Sequence, residues 1–310
     1  AEKARVLLDK FQTEEGEELG PCGFVPNLME EFQRFEWAGV HFGEEETYLL
    51  QRSLTKLSHD TKAKSIKFWG KIFGSKKDYY IAELDQEGNA PDGAEPDPED
   101  PKLEARGTGV NQYNYFVTND ILGEWTPLPV ITPDQLTQSR KIKYIFTGNL
   151  DATIVTNPPF QWSEKYYLRA QIARISHSTN IIPSGLWKIN ADSDEPTQEE
   201  LLQAREITET DPEEVKQATL QQLTSLKNWQ HYMPAILKEG RTTYSEAPDF
   251  VNEMEEAERE QWEKDRARKD PLEYRLKALS DDKPLNGYKQ AWTLRTCGDT
   301  IEYDTISEKK

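Results

Sequence analysis

The sequence predicts an α+β fold: a mostly antiparallel sheet with packed helices, long acidic loops and a charged helix toward the C-terminus. Three observations carry this expectation. Residues 64–73 (KSIKFWGKIF) and 76–85 (KKDYYIAELD) are apolar and aromatic runs separated by Gly74 and Ser75, the pattern of a tight antiparallel hairpin. Residues 158–175 (PPFQWSEKYYLRAQIARI) open at a Pro-Pro corner and meet a capping residue at Ser163. They then carry two apolar stripes, Leu168/Ile172/Ile175 and Tyr166/Ala170/Ala173. Two stripes are too wide for a helix lying on a surface, so this one is expected to be buried on most sides. Finally, residues 86–101 hold four prolines and, from Asp92 to Asp100, the five acids Asp92, Glu95, Asp97, Glu99 and Asp100, a composition that cannot pack and reads as an exposed anionic loop.

A chain of 310 residues can bury a substantial core as one large domain or two ordinary ones. The hydrophobic fraction is 35% and the charged fraction 30%, so the reading is a folded core plus long solvated segments. Eight Trp, thirteen Tyr and eleven Phe argue for packed layers rather than disorder. The net charge of −18 repels phosphates and anionic lipid, so nucleic acid and membrane are poor partners. It suits a protein assembly or plain solubility, and both readings stay open. Cys22 and Cys297 stand far apart and there is no Asn-x-Ser/Thr site, which favours a reducing compartment. With neither a membrane-length apolar run nor a signal-peptide pattern, the expectation is a soluble intracellular chain. Ala1 is not an initiator Met, so the numbering is expected to start inside a longer product.

Taken in order, a short helical pattern gives way to an acidic run that Pro21, Gly23 and Pro26 break. Leu28, Phe32, Phe35 and Val40, with Trp37 beside them, are expected to enter a core. A helix over 44–59 presents Tyr48, Leu49, Leu50, Leu54 and Leu57. The hairpin follows, with Gly74 first in its turn because type II′ geometry needs positive φ there. A third strand is expected over 110–118. Thr132, Pro133, Asp134 and Gln135 form a capping box with Pro at N1, starting a helix that runs to Gly148. After the 163–175 helix comes a strand over 181–189 containing Trp187. Residues 190–210 read as a polar linker. Asp211-Pro212-Glu213-Glu214 starts a helix carrying Val215, Leu220, Leu223, Leu226 and Trp229. A charged helix over 248–268 has Glu255–Arg259 and Glu260–Lys264 pairs and little apolar surface, so it is expected to bridge solvent or lie along a partner. A last strand is expected over 288–296. The domain reading is a main α+β core over 1–189 including the acidic loop, a linker over 190–210, and 211–310 packing back on the core.

The chemistry search excludes most classes. Gly70 to Lys77 superficially resembles a phosphate loop, but the glycine spacing is one residue short and the segment joins two strands. His41, His59, His177 and His231 never fall at ligand spacing, and no Cys stands near one. The acidic loop lacks the alternating ligands, central Gly and closing Glu of a calcium loop. No nucleophile elbow is present. Lysines 64, 67, 71, 76 and 77 with Phe68 and Trp69 do not outweigh the acidic balance as a nucleic-acid surface. The residues alone read as a non-enzymatic, acidic member of an assembly, with no catalytic, cofactor or metal residue. Arg169 and Arg174, inside the buried helix, are expected to tie to carboxylates or carbonyls of the fold. Trp69 and Trp229 are expected to be structural.

Several runs resemble one family. They are Phe35 to Val40 (FEWAGV) followed by EETY, Lys67 to Ile72 (KFWGKI), Tyr115-Phe-Val, Arg140-Lys-Ile-Lys, Phe146 to Asp151 (FTGNLD) and Tyr167 to Ser176 (YLRAQIARIS). Asn228-Trp229, Gly240-Arg241 and Trp292 to Arg295 (WTLR) continue the match. Together they resemble radial spoke head proteins four and six of cilia and flagella, in consistent order over most of the chain. Where that family has PPFPG before the helix, this chain has Pro158-Pro-Phe-Gln-Trp162, and it lacks the family's aromatic-rich segment after the last strand. The resemblance implies a structural radial spoke head subunit of the motile axoneme, facing the central-pair apparatus, with no activity or cofactor. Its implied partners are a related or identical copy, a smaller paralogous subunit and MORN-repeat head proteins. The acidic loop is the expected surface for transient central-pair contact. A regulatory adaptor or weak calcium-binding interaction protein is the alternative.

Overall fold

Strand β2 (Tyr79–Asp85) is buried along nearly its whole length, so both of its faces must be covered. In the computed structural model it lies between β1 (Ser65–Ile72) and β3 (Asn114–Thr118), and β4 (Thr126–Pro127) completes an antiparallel sheet in the order β1-β2-β3-β4. Residues 23–36, 39, 41–85, 103–190, 207–211, 215, 219–284, 287 and 289–295 are described. The structure divides into two compact units, Ala1–Gln171 and Ile172–Lys310.

In the first unit the sheet's period of two separates its faces. Ala82 and Leu84 of β2, with Ile66 and Phe116 of the neighbouring strands, join Leu50, Leu54 and Leu57 of helix α2 (Glu44–Thr61) and Leu28 of α1 (Leu28–Gln33) in one apolar cluster. Each fully buried leucine contributes roughly 1.5–3 kcal/mol by leaving water. Phe32, Phe42 and Phe68 seal its edge with ring centroids 5.3 to 6.1 Å apart. Phe35 and Tyr48, expected in the core and on the apolar face of the helix, are exposed. Trp37 and Val40 lie outside the described residues. The opposite sheet face carries Tyr79, Ile81 and Glu83, and the start of helix α4 (Glu164–Thr179) meets it.

The 64–85 hairpin pairs antiparallel as expected, but its turn differs. The last pair is Ile72 with Tyr79, so the connection spans 73–78, and the register shifts at Trp69 between Phe68 and Gly70. Gly74 does not have positive φ. It is required because a Cβ there would overlap the Lys77 carbonyl oxygen. The third strand is shorter than expected: Gly109–Asn111 is a 3-10 turn, because the buried Asn111 side chain donates to the carbonyls of Glu104 and Ile131 and holds the backbone out of the ladder. The capping box at Thr132 and Gln135 forms, but the helix it starts, α3 (Pro133–Ser139), ends well before Gly148. Beyond it, Ile142, Tyr144 and Phe146 recur every second residue and pack around Tyr167, which favours extended chain over helix.

In the second unit, the expected strand over 181–189 is two, β5 (Ile181–Pro183) and β6 (Trp187–Ile189), parted by Gly185 at φ 92°. They pair with β8 (Trp229–His231) and β7 (Ile207–Glu209) respectively. Helix α5 (Leu220–Leu223) is short. Asn228 Nδ2 and Trp229 Nε1 donate to the carbonyls of Gln222 and Leu223 and turn the chain, so Trp229 sits on a strand rather than the helix expected for it. The charged segment is α6 (Asp249–Asn252) and α7 (Glu256–Lys269), the latter without a buried residue. Lys264 pairs with Glu260 as expected, whereas Arg259 pairs forward with Glu263, not back with Glu255. Arg266 fixes α7: its guanidinium lies over Tyr244 and reaches Glu239 at 3.3 Å and the Ser245 carbonyl at 2.9 Å. Residues 289–295 form no strand. Trp292 is anchored instead by its Nε1 donating to Asp282 at 2.6 Å, beside His231 at 2.7 Å and Lys277 at 3.1 Å. Burial opposes charge on Asp282, but bonds from Trp292, His231 and Lys277 outweigh it and hold the carboxyl below the usual range.

Candidate functional site

The most developed polar constellation lies on the first two turns of α4. A helix leaves its first N–H groups without internal partners. Here the carbonyls of Ala152 and Leu150 take the N–H groups of Glu164 and Lys165 at 2.9 Å each, so the turn at 149–152 holds the helix start.

Glu164 is fully buried and accepts from five groups. Tyr79 Oη donates at 2.8 Å and Tyr144 Oη at 3.0 Å. The Thr147 N–H reaches both oxygens at 2.9 and 3.1 Å, its hydroxyl donates at 2.8 Å, and the Gly148 N–H at 3.0 Å. Gly148 has φ 89°, and a Cβ would overlap the Lys77 backbone, so only glycine presents its N–H here. Burial, then the Glu164 carboxylate, raises the pKa of Tyr79 and of Tyr144, keeping both phenols protonated as donors.

Arg169 lies further along the same helix and is 2% exposed. Its Nη2 donates to the Val110 carbonyl at 2.8 Å and to Asn111 Oδ1 at 3.4 Å. The guanidinium stacks 4.6 Å from the Tyr115 ring centroid. Tyr115 Oη in turn donates to Glu83 Oε2 at 2.9 Å. Burial lowers the Arg169 pKa, and burial raises that of Glu83 against the opposing pull of Tyr115, Lys67 and Arg169. Asn111 ties this cluster to Ile131, whose N–H it accepts at 3.0 Å.

Arg174 is half-buried in the later part of α4. Trp69 is half-buried at the register shift of β1. Trp229 donates to Leu223 in the second unit. Asp92, Glu95, Asp97, Glu99 and Asp100 lie outside the described residues, as do Cys22 and Cys297. Sequence reasoning missed Glu164, Tyr79, Glu83 and Asn111. One signal was present for Glu164: it sits four residues before Leu168 and eight before Ile172, an acid on a buried stripe.

Among the described residues, no group of three or more His, Cys, Asp or Glu is placed to hold a metal, and no helix is long and apolar enough to cross a membrane. The chemistry the constellation supports is structural. The Glu164 carboxyl is engaged by five donors of the surrounding fold, which fixes the segments that carry them.

Residues 2–102 and 85–307 match the family model described as radial spokehead-like protein. The chain is 36% identical over 250 residues to human radial spoke head protein 4 homolog A, covering 71% of this chain and 35% of that protein. It is 33% identical over 305 residues to human radial spoke head protein 6 homolog A, covering 84% of this chain and 41% of that protein. With flagellar radial spoke protein 4 of Chlamydomonas reinhardtii it shares 30% identity over 274 residues, covering 82% of this chain and 55% of that protein. The chain therefore spans between 35% and 55% of the length of these curated relatives. It belongs to the radial spokehead-like protein family.

Proposed function

We propose that the chain is a non-catalytic structural subunit of the radial spoke head in the axoneme of motile cilia and flagella. The observation that carries this reading is the α4 constellation. The run YLRAQIARIS, together with the FTGN segment before it, builds a buried brace in which Glu164 and Arg169 bond to the fold around them. Family membership supplies the assembly in which such a brace would act. Its partners in this reading are other spoke head subunits: a related or identical copy, a smaller paralogous subunit and MORN-repeat proteins.

The finer part of the proposal concerns the net charge of −18. In this reading the chain's acidic residues, those of the 86–101 segment among them, face the central-pair projections and meet them transiently. Exposed charge contacts are screened within about 8 Å at physiological salt and contribute about 0–1 kcal/mol each, which suits repeated contact and release. The test is fractionation of axonemes carrying a tagged chain. The expected result is retention with the axoneme and co-purification with spoke head subunits. Recovery as a free cytosolic monomer would overturn the proposal. Loss of central-pair contact only when the five loop acids are neutralised would support the finer part.

A further inference from the structure

We infer that a small pocket beside Arg169 is a binding site for one small anion: a halide or a single carboxylate oxygen. The pocket has a volume of about 10 Å³ and is lined by Arg169, Arg106, Asn111, Tyr113, Asn114 and Tyr115, closed by apolar contacts from the 128–130 segment. That volume is about that of one water-sized guest, which favours a monatomic ion or a single oxygen over the larger sulfate and phosphate.

Arg169 is only partly satisfied by the fold. Its Nη2 is engaged by Val110 and Asn111 and its face by Tyr115, but Nη1 is buried and has no hydrogen-bond partner among the described residues. A buried guanidinium N–H without an acceptor is costly, and more so on a charged group. The surroundings favour an anion over neutral water. Two lining side chains are cationic and none is acidic. Glu83, which acts on Arg169 from a distance, already accepts the Tyr115 hydroxyl, while Arg106 repels Arg169. Water would satisfy the N–H and leave the charge; an anion answers both. Access is through Arg106, Tyr113, Asn114 and Pro129, all half-buried, whereas Arg169 lies deeper. Arg106 Nη1 is held by Asn114 Oδ1 at 3.0 Å, so the second cation at the mouth is positioned rather than free to swing away.

The experiment is thermal unfolding of the full chain in sodium methanesulfonate at fixed ionic strength, with chloride, bromide, formate or sulfate substituted stepwise. A ligand that binds only the folded state raises the midpoint in a saturable way. The expected result is a saturable rise with chloride and bromide, with formate, or with both, and none with sulfate. Arg106→Gln should weaken the apparent affinity about tenfold, as for loss of one charged contact. Arg169→Met should abolish the response. A response to formate without one to halide identifies a carboxylate oxygen as the guest; the converse identifies a free halide. Equal midpoints in all salts, a saturable rise shared by sulfate, or a halide or formate response that Arg106→Gln leaves unchanged would overturn the assignment. Crystals soaked in bromide give an independent reading that survives if Arg169→Met does not fold. An anomalous peak beside Arg169 Nη1 supports a halide guest, and an ordinary water there after both a bromide and a formate soak refutes the site.

Discussion

Glu164 and Arg169 stand five residues apart on one helix, both buried and both charged, yet their surroundings are opposite. The carboxylate is met by two phenols, one hydroxyl and two backbone N–H groups. The guanidinium has two acceptors on one nitrogen, an aromatic ring below it and an unpartnered Nη1. The difference teaches that a buried charge can serve a fold in two ways. A saturated charge pins segments that are distant in sequence, here 79, 144, 147–148 and 164. An under-satisfied one leaves a site with capacity for something more.

The sharpest way to break this comparison is to remove the saturated charge. Glu164→Gln loses the anion and turns an amide N–H₂ toward a ring of donors, so a loss of about 3 kcal/mol is expected in urea unfolding. Arg169→Met should cost less, about 2 kcal/mol: the Val110 carbonyl and Asn111 lose a donor, but the desolvated cation is relieved. Equal losses in the two variants would show that the hydrogen-bond inventory does not rank the sites.

The contrast was half legible in the sequence. Arginines on a doubly striped helix announced that the fold must supply partners, because a charge on a buried face has few other outcomes. The hairpin, the capping box and the 44–61 helix follow from local rules and appear in the structure. What failed were places where side chains overrode those rules. Asn111 holds 109–111 in a 3-10 turn, Tyr144 and Phe146 draw the chain out of α3, and Asn228 with Trp229 ends α5 early. Glu164 was legible only as an acid on an apolar stripe, and its donors come from up to 85 residues away. No local pattern encodes such a meeting.

A smaller test probes one spoke of the carboxylate hub. Tyr79→Phe removes a single charge-assisted bond from a fully buried ring, and about 1.5 kcal/mol should be lost. The wild-type phenol has a raised pKa, so its contribution is complete below its ordinary value of 10.0 and falls as the pH climbs above it. Tyr79→Phe should therefore lose part of the alkaline decline in stability. An unchanged alkaline limb would remove the Tyr79–Glu164 bond from the argument.

The smallest effect is expected at Glu83, which meets the Arg169 site through Tyr115. Burial raises its pKa above the ordinary 4.5 despite the hydroxyl of Tyr115 and the charges of Lys67 and Arg169. The folded state then holds the Glu83 proton more tightly than the unfolded chain does. The stability this gives is fully present below about pH 4.5 and is lost as the pH rises through the higher folded value. Glu83→Gln keeps an acceptor for Tyr115 and cannot ionise, so stability at neutral pH should change by less than about 1 kcal/mol, with a flatter slope above pH 4.5. A large loss at neutral pH would mean that ionised Glu83 is the true counter-charge of Arg169. The guanidinium would then belong with Glu164 among the saturated charges, and the distinction between the two sites would close.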